Sequence, residues 1–76
     1  MAATVHRIES LVTGTVWKVE RVVGVAVGEG ETLLILESMK MEIPIEAPAA
    51  GVLQELLVAE GDRVDEGQVL AVLVQG

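Results

Sequence analysis

The chain has 76 residues, no cysteine, five basic and 12 acidic side chains and a formal net charge of −7. A chain this short is expected to form one domain over residues 1–76. Such a domain buries only about 60% of the surface that its unfolded chain exposes. That size excludes a large internal active-site cleft, the lack of cysteine excludes disulfides, and the acidic balance disfavours a nucleic-acid partner.

The apolar content of 51% does not indicate a membrane span. A spanning helix needs roughly 20 nearly uninterrupted apolar residues. Here glycine or a charged residue breaks every apolar run, as Gly24 and Gly28 break the valine-rich stretch at residues 22–27. The N-terminus also lacks the long apolar stretch of a signal peptide. We therefore expect a cytoplasmic protein without membrane contact.

The predicted elements are short strands separated by turns. Residues 16–20 partly alternate apolar and polar side chains, and residues 33–36 form the continuous apolar run of a strand buried on both faces. Residues 43–48 contain two prolines, which exclude a helix interior and favour an edge strand. Residues 69–74 form another apolar strand. Residues 53–58 have some helical propensity but are assigned to a strand because of an internal repeat.

The sequence repeats itself at a constant offset of 37 residues. The matching positions are the turn glycines Gly14/Gly51, Gly24/Gly61 and Gly30/Gly67, the acidic pair Glu29/Glu66, and the apolar pairs Val27/Val64, Leu33/Leu70 and Leu36/Leu73. Two copies of one strand–turn–strand unit, each too small to bury its own apolar face, are expected to pack around a pseudo-two-fold axis. Residues 53–58 then match the valine-rich residues 16–21, which favours a strand in both.

The segment between the two repeats is centred on Lys40. The offset relates position 40 to position 3 and to a point just after the C-terminus. In a two-fold arrangement, Lys40 and the two chain ends are therefore expected to lie at opposite ends of the molecule.

This segment reads Glu37-Ser38-Met39-Lys40-Met41-Glu42-Ile43-Pro44, followed by Ala47-Pro48 and Gly51. It resembles the biotinyl-acceptor motif of biotin carboxyl carrier domains, and the resemblance extends over nearly the whole chain. It implies an all-β fold, a flattened barrel of two antiparallel sheets called the barrel-sandwich hybrid, with Met-Lys-Met at a tight hairpin tip. Ser38 departs from the alanine or valine of many relatives.

The resemblance also implies the function of a carrier. Biotin would be attached to Lys40 through an amide bond, with Met39 and Met41 as flanking recognition residues and Glu37 as a further contact for the ligase. An ordinary lysine amine is almost entirely protonated at neutral pH, and no base lies near Lys40 in the sequence. The activation must come from a biotin-protein ligase, so Lys40 is a substrate and the chain is not an enzyme.

The expected partners after biotinylation are a biotin carboxylase and a carboxyltransferase, between which the chain would carry carboxybiotin as a monomeric carrier subunit. Two alternatives remain open. A lipoyl carrier has the same fold, although lipoyl lysines usually lie in an Asp-Lys-Ala type setting, and an unmodified binding sandwich is the other. Paired carboxylates, a nucleophile–base pair and a phosphate loop are all missing, which argues against an enzyme. Trp17 is interpreted as a partly buried strand residue and His6 as unrelated to metal binding.

Overall fold

A computed structural model describes residues 3–76 and confirms the all-β prediction, with two four-stranded antiparallel sheets. The eight strands are β1 (Thr4–Glu9), β2 (Gly14–Val19), β3 (Ala26–Val27), β4 (Thr32–Ser38), β5 (Met41–Glu46), β6 (Gly51–Leu56), β7 (Arg63–Val64) and β8 (Val69–Gln75). Within this range there is no helix of the length and apolarity that a membrane crossing requires.

The strand order is β1-β8-β6-β3 in one sheet and β5-β4-β2-β7 in the other. The apolar strands β4 and β8 occupy inner positions of their sheets, and Leu33, Leu34 and Leu36 are at most 1% exposed. The prediction that β4 is buried on both faces is wrong, because on its outer face Ile35 is only half-buried and Glu37 is exposed. The proline-containing β5 lies at a sheet edge, as predicted. Proline has no backbone N–H to donate to a neighbouring strand, so it is tolerated best at an edge.

The 37-residue repeat is reproduced by the structure. Strands β1 to β4 become β5 to β8 when every boundary is shifted by 37 residues, and the shift exchanges the two sheets. The burial patterns of the first three pairs of strands are identical. Loop contacts repeat as well: Gly24 N donates to Leu53 O and Gly61 N donates to Val16 O, both at 2.8 Å.

Two of the glycine pairs serve turns, as predicted. Gly24 and Gly61, like Gly30 and Gly67, have φ between 84° and 97°, a region that residues with a Cβ rarely enter. The third pair was wrongly assigned to turns, because Gly14 and Gly51 are the first residues of β2 and β6. A Cβ there would clash with the carbonyl oxygen of Glu37 or Val74, so these glycines allow two strands to approach closely.

The core is aliphatic and lies between the two sheets. Its fully buried side chains come mostly in repeat-related pairs, namely Leu33/Leu70, Leu36/Leu73 and Val16/Leu53, together with Leu34 and Val64. Each buried aliphatic side chain contributes about 1.5–3 kcal/mol by leaving water. The β4–β5 hairpin therefore rests on a scaffold held by apolar contacts.

Candidate functional site

Lys40 lies in the two-residue turn that joins β4 to β5, as predicted. Ser38 and Met41 form the last cross-strand pair, and the two residues between them have positive φ, 52° for Met39 and 66° for Lys40. Two successive positive φ values are typical of the type I′ turn that closes tight hairpins. Residues with a Cβ pay about 1–2 kcal/mol each for this conformation, so the fold holds the two side chains in place at a cost.

The side chains of the turn project into solvent. Met39 is 91% exposed and Met41 64% exposed, and Lys40 is also exposed. The methionines therefore do not belong to the core, which would be their ordinary location. Exposed methionines on both sides of an exposed amine form a surface that another protein can contact.

The hairpin is anchored on the rest of the sheet. β4 pairs with β5 on one side and with β2 on the other, and the Ser38 hydroxyl donates a 2.8 Å hydrogen bond to the Thr13 carbonyl oxygen. Gly14 at the start of β2 lets the backbone of Glu37 come close. The hydroxyl at position 38 therefore ties the tip to the loop before β2, a contact that alanine or valine could not make.

Two acidic side chains flank the turn on the outer face of the sheet. Glu37 and Glu42 are a direct cross-strand pair and both are exposed. Like charges in this position repel each other. Lys40 makes no ion pair with any residue between 3 and 76, where the pairs are Lys18–Glu20 at 3.9 Å and Arg21–Glu31 at 3.2 Å. The predicted recognition residue Glu37 thus lies close to Lys40 and remains available to a partner.

The position of the site relative to the chain ends follows from the repeat. Thr4 pairs with Gln75, so the two ends lie side by side, and the 37-residue shift exchanges this pair with Met41 and Ser38. The molecule is elongated, measuring 42 × 19 × 18 Å. Both observations support the prediction that Lys40 and the chain ends lie at opposite ends of the long axis.

The chemistry of the tip suits a residue that is modified by another protein. Across residues 3–76, no His, Asp and Glu side chains assemble into a group of three that could hold a metal ion. Lys40 has no hydrogen-bond partner among these residues that would act as a base. An acyl group such as biotin fits here, because the amine is accessible and its amide would project from the turn without displacing any packed side chain.

The sequence analysis missed an apolar surface beside the hairpin. A register shift between Val16 and Lys18 places Trp17 in a β-bulge of β2. Trp17 is 48% exposed, so it is a partly buried strand residue, as predicted, but about half of its surface faces solvent. A bulge changes the direction of the side chain at the extra residue, and it arises from pairing with a strand that is not adjacent in the sequence. The only sequence signal for an exposed Trp17 was the polar residue Gln54 at the position that the repeat relates to it.

Comparison with known proteins finds relatives that carry biotin or lipoyl domains. Residues 5–73 match the biotin/lipoyl domain family, which is described as biotin-requiring enzyme. The chain is 49% identical over 57 residues to the biotin/lipoyl attachment protein of Bacillus subtilis, covering 75% of this chain and 78% of that protein. It is 43% identical over 68 residues, 90% of this chain, to a dihydrolipoyllysine-residue succinyltransferase component of Staphylococcus saprophyticus.

The fold has a close match among solved structures. The crystal structure of Kluyveromyces lactis urea carboxylase superimposes with a TM-score of 0.88 and 34% identity over 93% of this chain. The chain spans only 6% of that carboxylase and 16% of the succinyltransferase component. The similarity to these two large proteins is therefore confined to one of their domains.

Proposed function

Because the chain belongs to the biotin/lipoyl domain family of biotin-requiring enzymes, we propose that it is a biotin carrier whose attachment site is Lys40. The observation that carries this proposal is the exposed amine of Lys40 at the tip of a rigid hairpin. The exposed methionines on either side favour biotin as the acyl group, because a Met-Lys-Met tip resembles biotinyl acceptors.

Lys40 acts as the nucleophile in the attachment reaction. A biotin-protein ligase supplies a biotinyl group with an activated carboxyl carbon, and the neutral amine attacks that carbon. The amide bond forms, the activating group leaves with the electron pair of the bond that breaks, and the nitrogen releases one proton. Met39 and Met41 contact the ligase directly, and Glu37 provides an acidic contact. The remaining residues hold the tip at a fixed position, since the turn and the Ser38 hydrogen bond restrict its motion.

The modified chain serves two enzymes in succession. When bound, biotin supplies a ureido ring that carries a carboxyl group from a biotin carboxylase to a carboxyltransferase. The chain contributes a long arm on a small, rigid support, which raises the effective concentration of the arm at both active sites. The similarity to urea carboxylase supports partners of this class, and the carrier itself is proposed to be non-catalytic, monomeric and cytoplasmic.

Lys40→Arg tests the attachment site. The wild-type chain, co-expressed with a biotin-protein ligase, should gain one biotinyl group in intact-mass spectra and bind streptavidin. The Lys40→Arg variant should gain none and should unfold at the same temperature, because the side chain is exposed. Lys18→Arg is the matched control, since Lys18 is the other lysine of the chain. Biotin on Lys18, or its retention in the Lys40→Arg variant, would contradict the proposal.

A lipoyl carrier is the second candidate, and the 43% identity to a dihydrolipoyllysine-residue succinyltransferase component supports it. The same fold and the same exposed lysine serve both acyl groups. Purified chain should be incubated with biotin ligase and biotin in one reaction and with lipoyl ligase and lipoate in another. Acylation of Lys40 in the second reaction alone would establish the lipoyl function in place of the biotin function.

A further inference from the structure

An apolar patch lies on the outer face of the sheet that carries Lys40. It consists of Trp17, Ile35 and Pro44, which we call the Trp17 patch. Ile35 pairs with Pro44 on β5 and with Lys18 on β2, and Trp17 occupies the bulge beside Lys18. Trp17 and Pro44 are exposed and Ile35 is half-buried. The three residues therefore lie at neighbouring positions on three adjacent strands, with the exposed Lys18 next to Trp17.

The fold does not require apolar residues at two of these three positions. The repeat relates Trp17, Ile35 and Pro44 to Gln54, Val72 and Arg7 on the other sheet, in the corresponding strands and with the same pairing. Gln54 and Arg7 are exposed and polar. Because the same backbone accepts glutamine and arginine there, the tryptophan and proline are not explained by packing. Exposed tryptophan is also among the residues most enriched at interaction hot spots.

The patch lies within reach of any protein that acts on the lysine itself. Ile35 and Pro44 are three residue pairs below the Ser38–Met41 pair, a distance of about 10 Å at 3.3 Å per residue. A partner surface of about 800 Å² has a radius of about 16 Å if it is circular. A surface of this size that extends from Lys40 along the outer face of the sheet therefore reaches the Trp17 patch.

The length of the lysine side chain determines how closely each partner must approach the sheet, and it separates the ligase from the enzymes that act on biotin. An unmodified lysine extends only about 6 Å from the backbone, whereas the biotinylated arm has about ten single bonds and extends about 13 Å. An enzyme that acts on the end of the arm can stay clear of the sheet. The ligase must bring its active site to Nζ and therefore has to approach the hairpin and the neighbouring face closely.

We propose that the Trp17 patch, together with Glu37 and Glu42, is the docking surface for the biotin-protein ligase. This inference rests on the proposed function. The complementary ligase surface has an apolar pocket for the indole and a lysine or arginine that neutralises the repelling carboxylates of Glu37 and Glu42. The small apolar area suits a transient complex, which must dissociate after each biotinylation.

The test compares two repeat-related substitutions. Trp17→Gln introduces the residue that the other sheet already accommodates, and Gln54→Ala is the matched control on the opposite sheet. With a purified biotin-protein ligase and labelled biotin, we expect Trp17→Gln to raise KM for the carrier about tenfold or more with kcat unchanged. Gln54→Ala should leave both constants unchanged. Thermal unfolding should confirm that both variants fold.

A second measurement reads the contact directly. Trp17 is the single tryptophan of the chain, so 5-fluorotryptophan labelling gives one fluorine NMR signal. Added ligase should broaden or shift that signal, and added biotin carboxylase should leave it unchanged.

The outcomes separate the two proposals. If the wild-type chain is biotinylated at Lys40 but Trp17→Gln has an unchanged KM, the docking surface is overturned and the carrier function stands. If the signal responds to the carboxylase and not to the ligase, the patch serves the carboxylase and the inference is also overturned. If Lys40 accepts no biotin at all, the proposed function itself fails.

Discussion

At the scale of single residues, the environment of Lys40 differs from that of Glu31, a charged residue that is held by contacts with its neighbours. Lys40 projects from a turn, whereas Glu31 accepts a hydrogen bond from Gly28 and contacts Arg21 at 3.2 Å. The Gly28 hydrogen bond, followed by that of Arg21, holds the pKa of Glu31 below its ordinary value. The repeat places Gln68 at the related position, where its Oε1 accepts from Asp65 N at 3.0 Å. An acceptor oxygen is thus needed there, and a charge is not.

Glu31→Gln should preserve the fold and change the dependence of stability on pH. A lowered pKa means that the ionised Glu31 stabilises the folded chain at neutral pH, and that this contribution is lost as the pH falls through the lowered pKa. The wild type should therefore exceed the variant in free energy of unfolding near pH 7, and the difference should disappear in acid. Urea unfolding between pH 7 and pH 2.5 measures this difference.

Glu29→Gln is the control for that series, since it removes the same charge from an exposed position in the same turn. It should not reproduce the acid-dependent difference. A difference between the wild type and Glu31→Gln that stays constant with pH would contradict the contribution of the charge.

At the scale of elements, the β4–β5 hairpin combines a favourable register with an unfavourable turn sequence. Six cross-strand pairs align β4 and β5, but type I′ turns prefer Asn and Gly at the two central positions, where this chain has Met39 and Lys40. The pairing on both sides of β4 and the Ser38–Thr13 hydrogen bond offset this cost. Natural proteins accept such local conflicts mainly at functional sites, which agrees with the proposed role of the tip.

Met39→Asn should stabilise the chain, because asparagine tolerates a positive φ better than methionine. We expect the free energy of unfolding to rise by about 0.5–1 kcal/mol. Met41→Asn is the control, since Met41 belongs to β5 and has no positive φ. Chemical denaturation compares the two variants. An equal effect of both substitutions would show that the turn conformation is not the source of the added stability.

In the ligase assay, the Met39→Asn variant should have a higher KM if Met39 is recognised.

At the scale of the whole molecule, the repeat preserves most of the buried positions but not the chemical character of the surface. The outer row nearest the Lys40 turn consists of Glu42, Glu37, Thr15 and Arg63, and the related row at the chain ends consists of Val5, Val74, Val52 and Ala26. The core is approximately symmetric because both halves fill one interior, although Leu34 on one side corresponds to Ala71 on the other. The surface is free to differ, so the features that distinguish the two ends are the ones available for recognition.

Equivalent core substitutions should therefore have equivalent costs. Leu36 and Leu73 are both 0% exposed and occupy related positions in β4 and β8. Leu36→Ala and Leu73→Ala should each lower the free energy of unfolding by about 2–5 kcal/mol, and the two values should agree within about 1 kcal/mol. Urea unfolding at low temperature measures both. Leu11→Ala is the control, because Leu11 is 71% exposed and should change stability by less than about 0.5 kcal/mol. Strongly unequal costs for the two core variants would show that the halves are not packed alike.

The sequence by itself determined five of the eight strands, namely β2, β4, β5, β6 and β8, together with the repeat and the exposed position of Lys40. These follow from local patterns: apolar runs, glycines at a constant offset and one motif between two copies. The strands β1, β3 and β7 carry no comparable pattern and were not predicted. It also predicted the edge location of β5 from its prolines. Only the tertiary structure decided the role of Gly14, the apposition of Glu37 and Glu42 and the outward orientation of Trp17. Each of these depends on pairing register and on a bulge, which arise when strands distant in the chain align. The lysine was therefore predicted from the sequence, whereas the surface proposed to recognise it emerged only from the pairing of β2, β4 and β5.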